Sequence, residues 1–600
     1  MSYRTLGSLI QEARKNSKTI TRKKLAYGIC SEQTLFEIET NQCMPDILML
    51  DILLQRLGQS PDKLEIIINA DNYKMVRMRD LLETTILRKK RERATQILQK
   101  YPSRSKIDKM YRCRMQASLY YYIDKNITGT IEYLKKAIHT TLPKFSYENI
   151  EDYLISEIEM ENILALEQMK LEQKSDIKNN LQICLKYIDQ HFIHEEYAKL
   201  YSKCIWLLTA VFYQEGEYMQ VLALCEKAIE LLRKNAMLYY MLPLLNRIVK
   251  AGEQLGIAPK RNKWTKYCEI LTFLWEHTAP KWYPTDSLFH NCYQRTYHLD
   301  YEFIRSERIA QGLTQEKLAE GIYRNPESLS RVETGKVSPN KQTFEKLMEK
   351  LGFEKGRYNG YVVTNSFETM ELRDELDRLI MRNRYQEGEK ILDKLKCSLD
   401  IQIPENKQVI ELHHIIIAKH LEEITPLQAL EKLKELFSCF GSFNNKTFHH
   451  IPRRNETVII NNLCILLYDL KQEKEAYSLC KTALQIIQNS KINVKYNYKA
   501  YSLLLNNYIH LCKNLHYESE ERKFAFIALK NEFICGKASS LPFCINNVLQ
   551  ILDKDGTPPA ECDKWAEAIY YMSDLYYFNK EKELYKNFLI NERHINIIHQ

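Results

Sequence analysis

The sequence predicts an all-α fold arranged as two tandem copies of one unit, residues 1–300 and 301–600. Three observations carry the prediction. Glycine (17) and proline (16) are scarce in 600 residues, while Leu, Ile, Lys, Glu and Tyr abound, so helix formers dominate and breakers are few. Hydrophobic residues at 45% and charged residues at 27% give the balance of a globular protein, and the length calls for several cores. The third observation is that the chain repeats itself.

The repeat is clearest near the start of each copy. Residues 21–45 read TRKKLAYGICSEQTLFEIETNQCMP, and residues 314–339 read TQEKLAEGIYRNPESLSRVETGKVSP. Leu25-Ala26 match Leu318-Ala319 at an offset of 293. After one extra residue, Leu35, Glu39-Thr40, Pro45 and Leu57-Gly58 match Leu329, Glu333-Thr334, Pro339 and Leu351-Gly352 at 294. Arg79-Asp80 and Ile97-Leu98 keep that offset against Arg373-Asp374 and Ile391-Leu392. Later matches drift but stay in order: Cys184 with Cys480, Tyr201-Ser202 with Tyr501-Ser502, Leu242-Pro243 with Leu541-Pro542, and Trp264 with Trp565.

Each copy opens with four short helices. In the second, residues 301–310 place Phe303, Ile304 and Ile309 at helical spacing, and Gly312 ends the helix. Thr314 caps a second helix carrying Leu318 and Ala319, and Gly321 makes the turn. Asn325 caps a third helix with Pro326 at its first position, where no backbone donor is needed. Leu329 and Val332 point inward, Glu333 ends the helix, and Gly335 supplies a left-handed stop. Pro339 precedes a fourth helix carrying Phe344, Leu347 and Leu351. The first copy keeps this scaffold in Leu6, Ile10, Leu25, Ala26, Gly28, Ile29, Leu35, Ile38 and Glu39, with Asn41 as the stop.

LTQEKLAEGI, SLSRVETGK and the following Pro339 resemble the Xre family, the lambda-repressor and Cro type of helix-turn-helix. The resemblance implies that the third helix enters the major groove of double-stranded DNA. It implies that Gln315 meets the phosphate backbone and that Arg324, Asn325, Glu327, Ser328 and Arg331 face the bases, with Lys336 beside them. Arg suits guanine and Asn suits adenine, each in bidentate fashion. In the first copy the corresponding positions are Arg22, Ser31, Glu32, Gln33 and Glu37. A carboxylate facing the groove is repelled by phosphate, though it can accept a bond from cytosine. Three readings stay open for this copy: a different half-site, weak binding, or loss of DNA binding. The basic run Arg88-Lys89-Lys90-Arg91 has the charge to touch phosphates but reads first as a solvated helix face.

The modules are expected at 1–68 and 301–356, and helical arms at 69–300 and 357–600. In the arms, Ile205, Leu208, Phe212, Val221, Cys225 and Ala228 fit a tetratricopeptide-type hairpin with Gly216 at the turn. Ile460, Leu463, Leu467, Ala476, Cys480 and Ala483 fit the same frame. Such hairpins stack into a solenoid with a concave binding face. The order of module and arm resembles the PlcR, Rgg and PrgX type of peptide-pheromone regulators of Gram-positive bacteria, the RRNPP group. That resemblance implies a short signalling peptide bound in the groove. Two units in one chain depart from the group's homodimers and predict an intramolecular pseudo-dimer, with further homodimerisation open. One asparagine amide can pair with both backbone groups of an extended peptide. Asn461, Asn462, Asn506, Asn507, Asn546 and Asn547 fall on three successive first helices of the second arm and are the candidate peptide contacts. In the first arm only Asn246 corresponds.

No phosphate-binding glycine loop, GxSxG, HExxH or paired CxxC occurs, so no enzyme, cofactor or metal is expected. The 16 cysteines stand singly and read as thiols in a reducing compartment. His413-His414 and His449-His450 read as structural or solvated. Without a signal core or a long apolar run, a cytoplasmic protein with no membrane partner is expected. The net charge of +9 permits an anionic partner. The leading functional expectation is a peptide-controlled transcriptional regulator. The alternative is a helical-repeat interaction scaffold in which the modules serve packing or dimerisation.

Overall fold

The computed structural model describes residues 5–17, 19–257, 263–289, 295–353, 358–360, 362–438 and 452–595. His449-His450 and part of the expected 301–356 boundary lie outside the described residues. The chain is helical almost throughout. It begins with α1 (Leu6–Asn16), α2 (Arg22–Ala26), α3 (Glu32–Glu39) and α4 (Ile47–Arg56). Strand β1 (Leu64–Ile68) leads into the first arm. That arm comprises α5 (Ala70–Leu87), α6 (Arg91–Lys100), α7 (Lys106–Leu119), α8 (Ile127–Thr141), α9 (Glu157–Glu172) and α10 (Lys178–His191). It continues with α11 (His194–Gln214), α12 (Tyr218–Lys234), α13 (Met241–Gln254) and α14 (Lys263–Thr278).

After β2 (Thr296–Leu299) come α15 (Asp300–Ala310), α16 (Gln315–Ala319), α17 (Pro326–Glu333) and α18 (Lys341–Lys350). Their lengths of 11, 5, 8 and 10 residues repeat those of α1 to α4. Strand β3 (Tyr358–Gly360) leads into α19 (Phe367–Met381), α20 (Tyr385–Ser398), α21 (Pro404–His420), α22 (Pro426–Ser438) and α23 (Arg454–Asp469). The second arm ends with α24 (Glu473–Asn489), α25 (Tyr498–Asn514), α26 (Glu518–Cys535), α27 (Leu541–Lys554), α28 (Pro559–Leu575) and α29 (Asn579–Asn591). The predicted hairpin residues Ile205, Leu208, Phe212, Val221, Cys225 and Ala228 are buried between α11 and α12. Ile460, Leu463, Leu467, Ala476, Cys480 and Ala483 are buried between α23 and α24. Gly216 turns the first of these hairpins at φ +80°.

The all-α expectation misses a small sheet of order β2-β1-β3. The run Leu64-Glu65-Ile66-Ile67-Ile68 is rich in β-branched residues and buried at every position, which suits a central strand. It pairs parallel with β2 and antiparallel with β3. The antiparallel register sets Leu64 against Gly360, Glu65 against Asn359 and Ile66 against Tyr358. At the 294-residue offset, Asn359 is the counterpart of Glu65 itself.

A second reciprocal contact joins the segments just before α13 and α27. There α13 and α27 begin at Met241 and Leu541, an offset of 300. The Leu242-Pro243 match to Leu541-Pro542 is thus one residue out of structural register. Leu238 N–H donates to the Gly536 carbonyl at 2.9 Å, and Ala538 N–H donates to the Ala236 carbonyl at 2.8 Å. Each bond is the other with the counterparts exchanged, and Met237 bridges its counterpart Lys537.

The basic run is not a helix face. Helix α5 ends at Leu87 and Lys89 has φ +56°, so Arg88, Lys89 and Lys90 form the turn into α6. His413 is structural, its Nδ1 and Nε2 bonded to the Val409 carbonyl and to Asp377 at 2.7 and 3.1 Å.

The two four-helix groups, α1 to α4 and α15 to α18, are held differently. The core of the first is continuous with that of the arms. The second has its own small core of Phe303, Ile304, Leu318, Leu329, Val332, Phe344, Leu347 and Leu351, closed by Ile67 of β1. Arg56 caps the end of α2 through the Tyr27 carbonyl (2.7 Å) and reaches the first arm in a buried pair with Glu159 of α9 (2.5 Å). Its counterpart Lys350 caps α16 through the Lys317 and Glu320 carbonyls, at 2.5 and 2.7 Å.

Candidate nucleic-acid interface and peptide groove

Recognition chemistry needs a rigid helix with a polar exposed face. In the second module Thr314 caps α16, accepting from Lys317 N–H, and Asn325 caps α17, accepting from Ser328 N–H at 3.2 Å. Gly321 (φ +73°) and Gly335 (φ +70°) take the left-handed conformation at the turn and after α17. One face of α17 buries Leu329, Val332 and Glu333. The other exposes Glu327 and Arg331, with Ser328 half-buried; Arg324 and the cap Asn325 are exposed just before the helix and Lys336 just beyond it.

A carboxylate that sequence reasoning did not assign a partner locks this helix. Glu333 accepts from Arg308 of α15 in bidentate fashion, at 2.6 and 2.9 Å. It also accepts from Gln315 Nε2 at 2.7 Å. Gln315, expected at the phosphate backbone, therefore has part of its amide held within the module. The first module repeats the arrangement: Glu39 accepts from Arg14 at 2.5 and 2.9 Å and from Arg22 at 2.7 Å. Burial alone would raise the Glu39 carboxyl, but the bonds from Arg14 and Arg22 outweigh it and hold its pKa below the usual glutamate value. The signal was in the sequence as an Arg and a Glu 25 residues apart in both copies.

The exposed faces of α17 and α3 carry different side chains. Ser31, Glu32 and Gln33 are exposed on the first module, with Glu37 half-exposed. Gln33 donates to Glu37 at 3.0 Å. The Arg22 guanidinium, bonded to Glu39, also lies 5.1 Å from the centre of the Phe36 ring. Ser31 caps α3.

A short helix, a glycine turn and a capped second helix with a polar outer face define a helix-turn-helix module. Residues 304–356 match the family described as Helix-turn-helix, so the second unit contains such a domain, of the Xre type. Among solved structures, the chain is similar to Bacillus thuringiensis PlcR in complex with the peptide PapR7 and DNA. The identity is 18%, the match covers 49% of this chain and 99% of that one, and the TM-score is 0.32. The apo form of the competence regulator ComR from Streptococcus vestibularis matches at 12% identity, with 48% and 97% coverage and a TM-score of 0.29. The Cut9-Hcn1 hetero-tetramer of the APC/C matches at 10% identity, with 85% and 96% coverage and a TM-score of 0.24. Comparison with curated proteins finds no match.

The asparagines fall on α23, α25 and α27, alternate helices of the second arm. Asn507 Nδ2 donates to Asn461 Oδ1 at 2.6 Å, linking two of them. Asn462 donates to the Val458 carbonyl at 2.8 Å, and Asn506 faces the Cys544 thiol at 3.6 Å. Asn546 accepts from Gln550 at 3.2 Å and from the Tyr585 hydroxyl. Asn462, Asn506, Asn507, Asn546 and Asn547 stay half-exposed, while Asn461 is buried. Among the described residues no group of His, Cys, Asp and Glu could hold a metal ion. No described helix is long and apolar enough to cross a membrane.

Proposed function

We propose that the chain is a sequence-specific DNA-binding transcriptional regulator in which two helix-turn-helix modules form a pseudo-dimer within one molecule. The modules are 1–68 and 301–356, each followed by a tetratricopeptide-like arm. The observation that carries the reading is the exposed polar face of α17, locked from behind by the Arg308–Glu333 pair. A rigid helix presenting Arg331, Arg324 and Asn325 has the donors for base edges, and Lys336 has the charge for phosphate. The neighbour PlcR is described with DNA and a peptide; this chain is proposed to use the same two partner classes.

The pseudo-dimer reading draws support from reciprocity. In a two-fold interface residue i meets j and j meets i. Glu65 opposite Asn359, and the exchanged bonds at Leu238 and Ala538, follow that rule at two separate contacts. Joining two readers in one chain raises the effective concentration of the second on its half-site. The asparagines of α23, α25 and α27 are proposed to line a groove for a short peptide. The first module is proposed to read a different and weaker half-site, because its face carries Glu32 and Glu37 and its Arg22 is engaged by Glu39.

Selection from random duplex DNA with the full chain tests this. Arg331→Ala should weaken the selected site by about 1–3 kcal/mol and relax specificity at one position. Unchanged binding by that variant would remove α17 as the reading helix.

A further inference from the structure

The stretch joining α14 to the second unit is packed as a ligand would be. Residues 282–289 form neither helix nor strand, yet Leu288 is fully buried and Phe289 is 8% exposed. Side chains of the first arm read its backbone. Leu288 N–H donates to the hydroxyl of Tyr122, just beyond α7, at 2.7 Å. The Leu288 carbonyl accepts from Lys203 Nζ on α11. The Ser287 carbonyl accepts from the Tyr240 hydroxyl, at the start of α13, at 2.8 Å. Phe289 lies against Arg114 of α7, whose guanidinium carbon is 3.6 Å from the ring centre. Trp282 packs under Arg88 at 4.9 Å.

Main-chain bonds from side chains and a socketed aromatic are the means by which grooves hold extended peptides. The site is built for its occupant. Lys203 is wholly buried, and a buried cation is costly unless its hydrogens are met; burial pushes its pKa down to about 7 against the pull of Glu161. At the 300-residue offset, Lys203 and Tyr240 correspond to Leu503 and Ser540 in the second arm. There, α29 follows α28, where the non-helical stretch follows α14 in the first arm. An open cleft of about 310 Å³ continues beside the stretch, lined by Trp206, Asn246, Arg247 and Lys250 together with Thr285 and Asp286.

We propose that the first arm is a peptide-binding site whose ligand is the chain's own residues 282–289. The first unit is thereby held in its liganded form, and an external peptide acts at the second arm. The inference rests on reading the arms as peptide grooves, but its test involves no DNA, so failure of DNA binding leaves it standing.

The test uses the full chain and a fluorescein-labelled peptide KWYPTDSLF, the sequence of residues 281–289. In the wild type, the Leu288 amide, bonded to the Tyr122 hydroxyl, should exchange at least about 100-fold more slowly than in the isolated peptide. The peptide should bind L288A/F289A about tenfold or more tighter than wild type, because the groove has been vacated. Exchange at the free-peptide rate in the wild type would overturn the proposal whatever the variants do. So would equal binding to wild type and variant, or no binding to a variant with wild-type circular dichroism. Should the double variant not fold, Phe289→Ala alone is read the same way.

Discussion

Gly28 and Gly321 occupy the same turn in the two modules, and replacing each by alanine separates backbone strain from docking. Both have positive φ, +79° and +73°. An L-residue in that conformation costs about 1–2 kcal/mol, offset by about 0.4–1 kcal/mol from the stiffer unfolded chain. Around Gly321 an added Cβ meets nothing within 4 Å, so Gly321→Ala should cost about 1 kcal/mol net. At Gly28 the added Cβ would lie 1.9 Å from the Thr141 carbonyl oxygen at the end of α8. The turn must then lift from the arm, drawing Arg56 from Glu159, a pair whose side chains are each 1% exposed. Removing one partner of such a pair costs about 3–5 kcal/mol. Gly28→Ala should therefore open the first module by about 3 kcal/mol more than Gly321→Ala opens the second, roughly 100-fold in exchange rate. Amide exchange followed helix by helix is the assay, because a chain with several cores does not unfold in one step. Equal changes in the two modules would refute the docking of the first module on the first arm.

Other consequences follow from the same contacts. Glu333→Gln leaves the largely buried Arg308 without its anion and should destabilise the second module by about 3 kcal/mol, read as lost protection across α15 to α18 with α23 to α28 unchanged. Burial raises the Glu532 pKa from 4.5 to about 7, against bonds from the Tyr498 hydroxyl and Ser540 N–H. The folded chain keeps that proton where the unfolded chain has lost it, so the stabilisation is present below 4.5 and is lost as pH rises through 7. Glu532→Gln should remove this slope from thermal melts, and a variant that keeps it would show that Glu532 is not its source. Lys336→Ala should lower the slope of log affinity against log salt by about 0.9 while weakening all sequences alike; an unchanged slope would mean Lys336 meets no phosphate.

Most of the local architecture was legible because it depends on neighbours in sequence. The caps Thr314 and Asn325, the turn at Gly321 and the stop at Gly335 are short-range chemistry, and the structure places each of them as read. Tertiary choices were less visible. The strand Leu64–Ile68 is an apolar run too short for periodicity to separate from buried helix, and its partners lie far away in the chain. The Arg308–Glu333 lock needed two helices brought together, although its spacing recurs in both copies. The basic run at Arg88 looked like a helix face because nothing in its composition marks the positive φ at Lys89. The stretch 282–289 went unremarked within the first arm because its burial comes from Lys203, Tyr240 and Tyr122, each more than forty residues away.

One chain is proposed to carry both DNA readers. The mass of the complex between the full chain and its selected duplex, measured in solution, tests it most directly. One chain on a site with two unequal half-sites about one helical turn apart is the expected result. Two chains on such a site, or no duplex selected at all, would contradict it.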